Sequence, residues 1–312
     1  MMEGQDMTAV ATALATMAMI IGAGWLLGHR GTLGTGGLPV MGRICFTVAT
    51  PCLLFTTVAH ANLDLLVSRS ALVAAVTATA CALVAIVMLA LVWHRGAGDV
   101  VVGTLAASYV NAGNLGLPLA VYLLGDAVAV VPPLLFQLLV IAPIAFTVLD
   151  THRATTSPGL RGIAAQTLRN PIIVGSLSGL LLAALPWTLP ALLFGPFTLI
   201  GAAAAPLALL LFGMSIAAPH AAGEATRRRE LVLVTVLRTV VSPCLGLLLG
   251  HLLGLHGPAL LTVVTMAALP TAQNVLVYAT QYGRGQALAR DAGVLTTVLA
   301  VPTLLIIAAT LG

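Results

Sequence analysis

The sequence predicts an all-α membrane protein with ten transmembrane helices. Of its 312 residues, 60% are hydrophobic and only 7% are charged, and the mean hydropathy is +1.09. A soluble domain usually carries about a quarter charged residues, so lipid must be the solvent for most of this chain. Lipid cannot hydrogen-bond to a backbone, which leaves helices or closed barrels, and the long unbroken apolar runs favour helices.

Ten apolar runs, each bounded by Gly, Pro or Arg, have about the 20 residues that a helix needs to cross a bilayer. The predicted spans are residues 8–27, 37–59, 70–93, 101–124, 128–149, 170–188, 191–218, 231–253, 258–281 and 288–311. The first run is too long for the apolar region of a signal peptide, and it follows an acidic leader. Only a short Pro-rich stretch at 186–190 separates spans six and seven, so nine or eleven spans stay open.

The arginines, which make up all thirteen basic residues, predict the orientation. The connections after the odd-numbered spans contain Arg30, Arg95, Arg153, Arg161, Arg169, Arg227, Arg228, Arg229, Arg284 and Arg290, whereas the opposite connections contain only Arg69. The positive-inside rule then places the arginine-rich connections in the cytoplasm and both termini outside. The Ala- and Arg-rich, lysine-free composition indicates a bacterium, so the predicted location is a bacterial inner membrane. The net charge of +4 is therefore a topology signal and predicts no nucleic-acid partner. The cluster 227–229 can also be interpreted as a site for lipid headgroups.

A weak internal repeat predicts two inverted halves. Asn111-Ala-Gly-Asn114 precedes Tyr122 by the same distance as Thr271-Ala-Gln-Asn274 precedes Tyr282. Pro51-Cys-Leu-Leu-Phe55 in span two similarly resembles Pro206-Leu-Ala-Leu-Leu210 in span seven. Matching elements are five spans apart, an odd number, so the second half must be inverted relative to the first. We expect one five-helix repeat over residues 1–150, a cytoplasmic linker over 151–169 and a second repeat over 170–312.

Spans four and nine contain residues that a continuous helix tolerates poorly. Two asparagines, two glycines and a proline lie in Tyr109–Tyr122, and a proline, a glutamine and an asparagine lie in Ala268–Tyr278. Such breaks are tolerated in a membrane where they line a hydrated cavity, and the positive ends of the half-helices can there bind a carboxylate. The alternative is that the amide side chains only join helices through hydrogen bonds.

These motifs carry a family resemblance. The runs Asn111-Ala-Gly-Asn-Leu-Gly-Leu-Pro-Leu-Ala120 and Leu269-Pro-Thr-Ala-Gln-Asn-Val-Leu-Val-Tyr278, together with Asn170-Pro171, resemble motifs of the auxin efflux carrier family. The resemblance implies two inverted five-helix repeats, crossing broken helices four and nine, and an elevator-like exchange of a core against a scaffold. The substrate site that it implies comprises Asn111, Asn114, Gly116, Pro118, Pro270, Gln273 and Asn274.

The resemblance also implies a small organic anion as substrate, because the family includes plant auxin exporters and bacterial carriers of malate, malonate and related acids. Arg238, inside span eight, is a further candidate that either neutralises this anion or extends to the membrane interface. Uniport, sodium coupling, proton coupling and a homodimer all stay open. The alternative function is a membrane sensor or structural partner that does not transport.

The sequence does not indicate an enzyme or a cofactor. It contains neither HExxH nor GxSxG, and its four cysteines lie in apolar runs without paired spacing. The run Gly175-Ser-Leu-Ser-Gly179 predicts close packing between helices.

Overall fold

The computed structural model describes residues 3–34, 36–60, 67–116, 119–120, 124, 127–153, 169–185, 190–217 and 227–311. Every regular element in these residues is helical, which confirms the predicted all-α class. The helices are α1 (Glu3–His29), α2 (Gly37–Ala59), α3 (Arg69–Val92), α4 (Ala97–Ser108), α5 (Val128–His152), α6 (Pro171–Ala184), α7 (Ala191–Ala217), α8 (Arg228–Leu252), α9 (Pro258–Ala267), α10 (Asn274–Tyr282) and α11 (Gln286–Leu311).

Six helices in the described part of the chain, α2, α3, α5, α7, α8 and α11, are long and apolar enough to cross a membrane. Shorter apolar helices occupy Ala18–His29, α4, α6 and α9. The chain is therefore a multi-pass membrane protein. The predicted spans six and seven form the separate helices α6 and α7, whereas their arrangement with the other spans as two inverted repeats stays a prediction.

The helices pack in two groups. In the first group, α1 packs along α7, and α2 packs on α6 and α7. In the second group, which we call the crossover group, α3, α4, α5, α8, α9, α10 and α11 pack on one another. Two predicted spans, four and nine, are interrupted, and both lie in the crossover group.

Glycines bring the helices of the first group into backbone contact. A Cβ atom at Gly175 or Gly179 would lie 2.5 or 2.6 Å from the carbonyl oxygen of Pro51 or Phe55 on α2. The close packing predicted for this run is thus confirmed. Gly213 on α7 approaches α1 in the same way, because its Cβ would lie 2.0 Å from the carbonyl oxygen of Ile21.

Aromatic and polar side chains join the two groups. The ring of Phe46 on α2 packs edge-to-face against Phe146 on α5 and against Tyr278 and Tyr282 on α10. Next to these rings, the Tyr282 hydroxyl donates to Asp150 Oδ1 at 2.7 Å. Asn170, the N-cap of α6, has its Nδ2 at 3.1 Å from both Asp150 Oδ2 and the Tyr282 hydroxyl.

Candidate functional site

Both predicted breaks are present. Helix α4 ends at Ser108, Tyr109 is extended with φ −92° and ψ 105°, and Ala112–Gly116 forms one π-helical turn. Helix α9 ends at Ala267, and α10 begins only at Asn274. The interruptions begin after Ser108 and after Ala267, directly at the start of the two runs, Tyr109–Tyr122 and Ala268–Tyr278, that the sequence predicts to be broken.

The two breaks meet as a short antiparallel pair. Val110 and Thr271 form an isolated β-bridge. The Asn111 amide donates to the Pro270 carbonyl at 2.9 Å, and the Ala272 amide donates to the Tyr109 carbonyl at 3.0 Å. The broken segments therefore cross and satisfy each other's backbone groups, which lipid could not do.

Polar side chains from α5 and α11 complete the backbone pairing. Gln137 Oε1 accepts from the Val110 amide at 3.0 Å, and Gln137 Nε2 donates to the Val110 carbonyl at 3.1 Å. On the other side, Thr296 Oγ1 accepts from the Thr271 amide at 3.1 Å. The Thr271 hydroxyl in turn donates to the Ala106 carbonyl at 2.6 Å.

Sequence reasoning missed Gln137 and Thr296. Each is a buried polar residue inside an apolar run, 3% and 0% exposed respectively, and that position is the only signal the sequence offers. A buried polar side chain needs a partner, but the sequence does not say which one. In the structure the partner is the backbone of a break in both cases.

Arg238 lies at the crossover and does not reach the membrane interface, because it is only 1% exposed. Its Nη2 donates to the Ala267 carbonyl at 2.5 Å and to the Ser242 hydroxyl, and its Nη1 lies 3.4 Å from the Ala107 carbonyl. The interpretation of Arg238 as an interfacial anchor is therefore wrong.

Those of the other predicted site residues that the structure describes also lie at the crossover. Asn111, Pro270 and Gln273 are buried there, and Asn274 is half-buried at the start of α10. Within the described residues, Asn111 Nδ2 has no hydrogen-bond partner although it is buried. Asn114 belongs to the π turn, but its side chain lies outside the described residues, as does Pro118.

The two glycines of the first break have different surroundings. A Cβ atom at Gly116 would lie 2.9 Å from Leu269 Cδ1 and 3.1 Å from Val130 Cγ2, so Gly116 allows close packing. Gly113 is exposed, and a Cβ atom there would meet no described atom within 4 Å. Among the described residues, none fills the space beside Gly113 at the crossover.

A cavity lies on the Arg238 side of the crossover, with an empty volume of about 510 Å³ that includes its open mouth. It lies among α3, α5, α8 and the ends of α4 and α9. Its polar lining includes Thr77, Ser108, Gln137, Arg238 and Ser242. Asn111, Gln273 and Asn274 are not part of its lining. We call the part of the crossover next to the cavity the arginine side, and the part that carries these three residues the amide side.

A second cavity, of about 750 Å³ with its open mouth, lies at the end of the molecule that carries the arginine-rich connections. Asp99, His152 and Tyr282, in the terminal turns of α4, α5 and α10, line it together with Arg284, which follows α10. At the same end, Arg95 forms an ion pair with Glu230, and the Arg229 guanidinium lies 4.9 Å from the centre of the Trp93 ring. The structure thus brings together connections that the sequence assigned to one side.

Comparison with known proteins gives two matches. Residues 9–308 match the model of a family described as "Membrane transport protein". Over 265 residues, the chain is 28% identical to a protein of Rhizobium meliloti (strain 1021) described as "Putative malonate transporter". The alignment covers 82% of this chain and 81% of that protein.

Proposed function

Because this chain belongs to the membrane transport protein family, the family of the auxin efflux carriers, we propose that it is a secondary carrier of small carboxylates, with malonate as the first candidate substrate. The observation that carries the proposal is the paired crossing of two broken helices, with open space beside it. Such breaks place half-helix ends inside the membrane, where substrate sites of secondary transporters are formed. Malonate is favoured over malate and auxin-like acids by the name of the Rhizobium relative.

The anion binds on the amide side of the crossover. Helix α10 begins at Asn274, so its positive N-terminal end faces the break. The unpartnered Nδ2 of Asn111 supplies a donor, and Gly113 leaves space for the ligand. Gln273 and Asn274 add amide side chains, and Asn114 and Pro118 complete the set that the family resemblance assigns.

The crossing is set in ten helices arranged as two inverted repeats, residues 1–150 and 170–312, joined by a cytoplasmic linker at 151–169. The hydrogen-bonded carbonyls of Ala107 and Ala267 support this arrangement, because their residue numbers differ by 160, as do those of Asn114 and Asn274. The clustered arginines support an orientation in which their end of the molecule faces the cytoplasm of a bacterium and both termini lie outside the inner membrane.

Transport proceeds by an elevator-type movement of the crossover group against the group formed by α1, α2, α6 and α7. The first group packs backbone to backbone through glycines, which suits a rigid scaffold. Its contacts with the crossover group include aromatic rings, the Asp150–Asn170–Tyr282 cluster, and Arg290 Nη1, which donates to the Ser215 carbonyl at 3.3 Å. Such side-chain contacts can break and form again as the two groups slide past each other.

The test is uptake of radiolabelled malonate, malate and indole acetate into proteoliposomes that contain the purified protein. We expect saturable malonate uptake above that of empty liposomes, with malate as a weaker competitor. Folded protein that transports none of the three acids, in any imposed sodium or proton gradient, would contradict the proposal.

A further inference from the structure

The breaks leave several carbonyls without their helical partners, among them those of Ala107 and Ala267. In a continuous helix the Ala107 carbonyl would accept from the Asn111 amide, and the Ala267 carbonyl would accept from the Thr271 amide. The structure redirects both amides: that of Asn111 donates to Pro270, and that of Thr271 donates to Thr296 Oγ1. Both carbonyls therefore face the interior at the negative C-terminal ends of α4 and α9.

Arg238 and Ser242 on α8 are the donors to these carbonyls. The Arg238 guanidinium contacts both of them, through Nη1 for Ala107 and Nη2 for Ala267. Ser242, one turn further along α8, donates to the Ala267 carbonyl at 2.7 Å and accepts from Arg238 Nη2. One side chain thus joins equivalent atoms of the two breaks.

The charge of Arg238 is balanced by these dipoles rather than by a carboxylate. Within the described part of the chain, no acidic side chain lies at ion-pair distance from its guanidinium. A buried charge is tolerated only where polar groups compensate it. Three oxygen atoms do so here, the two carbonyls and the Ser242 hydroxyl. In secondary transporters, carbonyls at the ends of interrupted helices also coordinate Na⁺.

We propose that Arg238 is a positioning residue, a built-in cation that occupies an oxygen-lined cation site formed by the two breaks. It holds α4 and α9 in register and does not contact the transported anion, which binds on the opposite, amide side of the crossover. In the wild-type protein the site is filled by the protein's own charge. Removal of the guanidinium leaves a site that Na⁺ or Li⁺ can enter.

The first test measures melting temperature, which does not depend on the proposed transport function. Purified wild-type protein, Arg238→Ala and Arg238→Lys are compared in NaCl, LiCl and choline chloride at equal ionic strength. Val240→Ala is the matched control, because Val240 lies on the same helix and is 53% exposed. We expect the Ala variant to melt about 5 °C or more below wild type in choline, since it leaves buried carbonyls unpaired.

In NaCl or LiCl, the Ala variant should recover part of this loss with a saturable dependence on cation concentration. Wild type and the Val240→Ala variant should respond equally to the three salts. The melting temperature of the Lys variant should lie between those of wild type and the Ala variant. An ammonium group keeps the positive charge but lacks the two guanidinium nitrogens that contact the two carbonyls. An Ala variant that melts like wild type, or one that small cations do not stabilise, would overturn the inference.

The second test uses malonate uptake and rests on the proposed function. Uptake by wild type should be equal in sodium and choline, whereas the Ala variant should lose at least about tenfold in choline and regain flux in sodium. If no variant transports any acid but the salt-dependent melting is observed, the proposed function fails and the inference stands. If wild type transports but the Ala variant is insensitive to salt in both tests, the inference fails alone.

Discussion

Each of the two breaks leaves backbone groups without a helical hydrogen bond, and a different kind of side chain bonds to these groups in each break. In the first, an extended segment at Tyr109–Asn111 leads into a π turn, and the amide group of Gln137 pairs with both backbone groups of Val110. In the second, Pro270 lies in a non-helical segment, and the single hydroxyl of Thr296 accepts from Thr271. The comparison teaches that two similar breaks expose similar backbone atoms to the need for a partner, whereas the side chain that supplies the partner differs between them.

The largest effect is expected from Gln137→Met, which keeps the length of the side chain but removes both hydrogen bonds to Val110. The Val110 amide would then be buried without an acceptor, and the Val110 carbonyl would lose the hydrogen bond from Gln137. Together these losses should cost about 3 kcal/mol of folding free energy. We expect the melting temperature to fall by about 8 °C. Val140→Met, on the exposed face of the same helix, is the control and should melt like wild type. An unchanged melting temperature in Gln137→Met would show that the first break does not depend on this side chain.

The next largest effect on stability is expected at Gly116, one of the two glycines of the first break, and not at the other, Gly113. Gly116→Val should destabilise the protein by about 2 kcal/mol, because the added atoms meet Leu269 and Val130. Gly113→Val should leave the melting temperature unchanged, because its Cβ meets no described atom within 4 Å and its φ is not in the left-handed region. The same Gly113 variant should reduce malonate uptake by at least about tenfold if the open space holds the substrate. Equal uptake in Gly113→Val and wild type would place the substrate elsewhere.

Thr296→Val tests the second break and should cost about 1.5 kcal/mol, since it leaves one buried amide, that of Thr271, without its acceptor. The neighbouring Thr297 provides the control, because its hydroxyl donates to the Gly293 carbonyl of its own helix at 2.7 Å and has no other hydrogen bond among the described residues. Thr297→Val should cost less than half as much in a denaturant or thermal melt. A larger loss for Thr296→Val than for Gln137→Met would reverse the order that the comparison predicts.

The smallest effect is expected at Tyr282, at the far end of α10 from the second break. Tyr282→Phe removes the hydroxyl that bonds to Asp150 and Asn170, while these two stay bonded to each other. We expect a loss of about 1 kcal/mol, seen as a fall of about 3 °C in melting temperature. Thr280→Val is the control on the same helix, since Thr280 Oγ1 has no partner in the described part of the chain. Equal melting of the two variants would argue against a stabilising contact between the helix groups.

Much of the fold follows from the sequence because apolar length and helix-breaking residues are local signals. The apolar runs predicted where helices lie, and Asn111 and Pro270 marked the segments that break. The partners of the breaks were not predictable, because Gln137 and Thr296 are separated from them by 27 and 25 residues and packing alone decides which face each turns inward. Arg238 shows the same limit: seven residues into a span, it can extend outward or inward, and its burial depends on the two helix ends beside it.

The proposed role of the crossover as the substrate site is tested most directly by malonate uptake in proteoliposomes that contain Asn111→Ala or Asn274→Ala. Loss of hydrogen bonds to a carboxylate should raise the half-saturating malonate concentration at least about tenfold in each variant. Melting temperatures should stay within about 2 °C of wild type, because Asn111 Nδ2 has no partner among the described residues and Asn274 is only half-buried. Uptake with wild-type saturation in both variants would contradict a substrate site at the crossover.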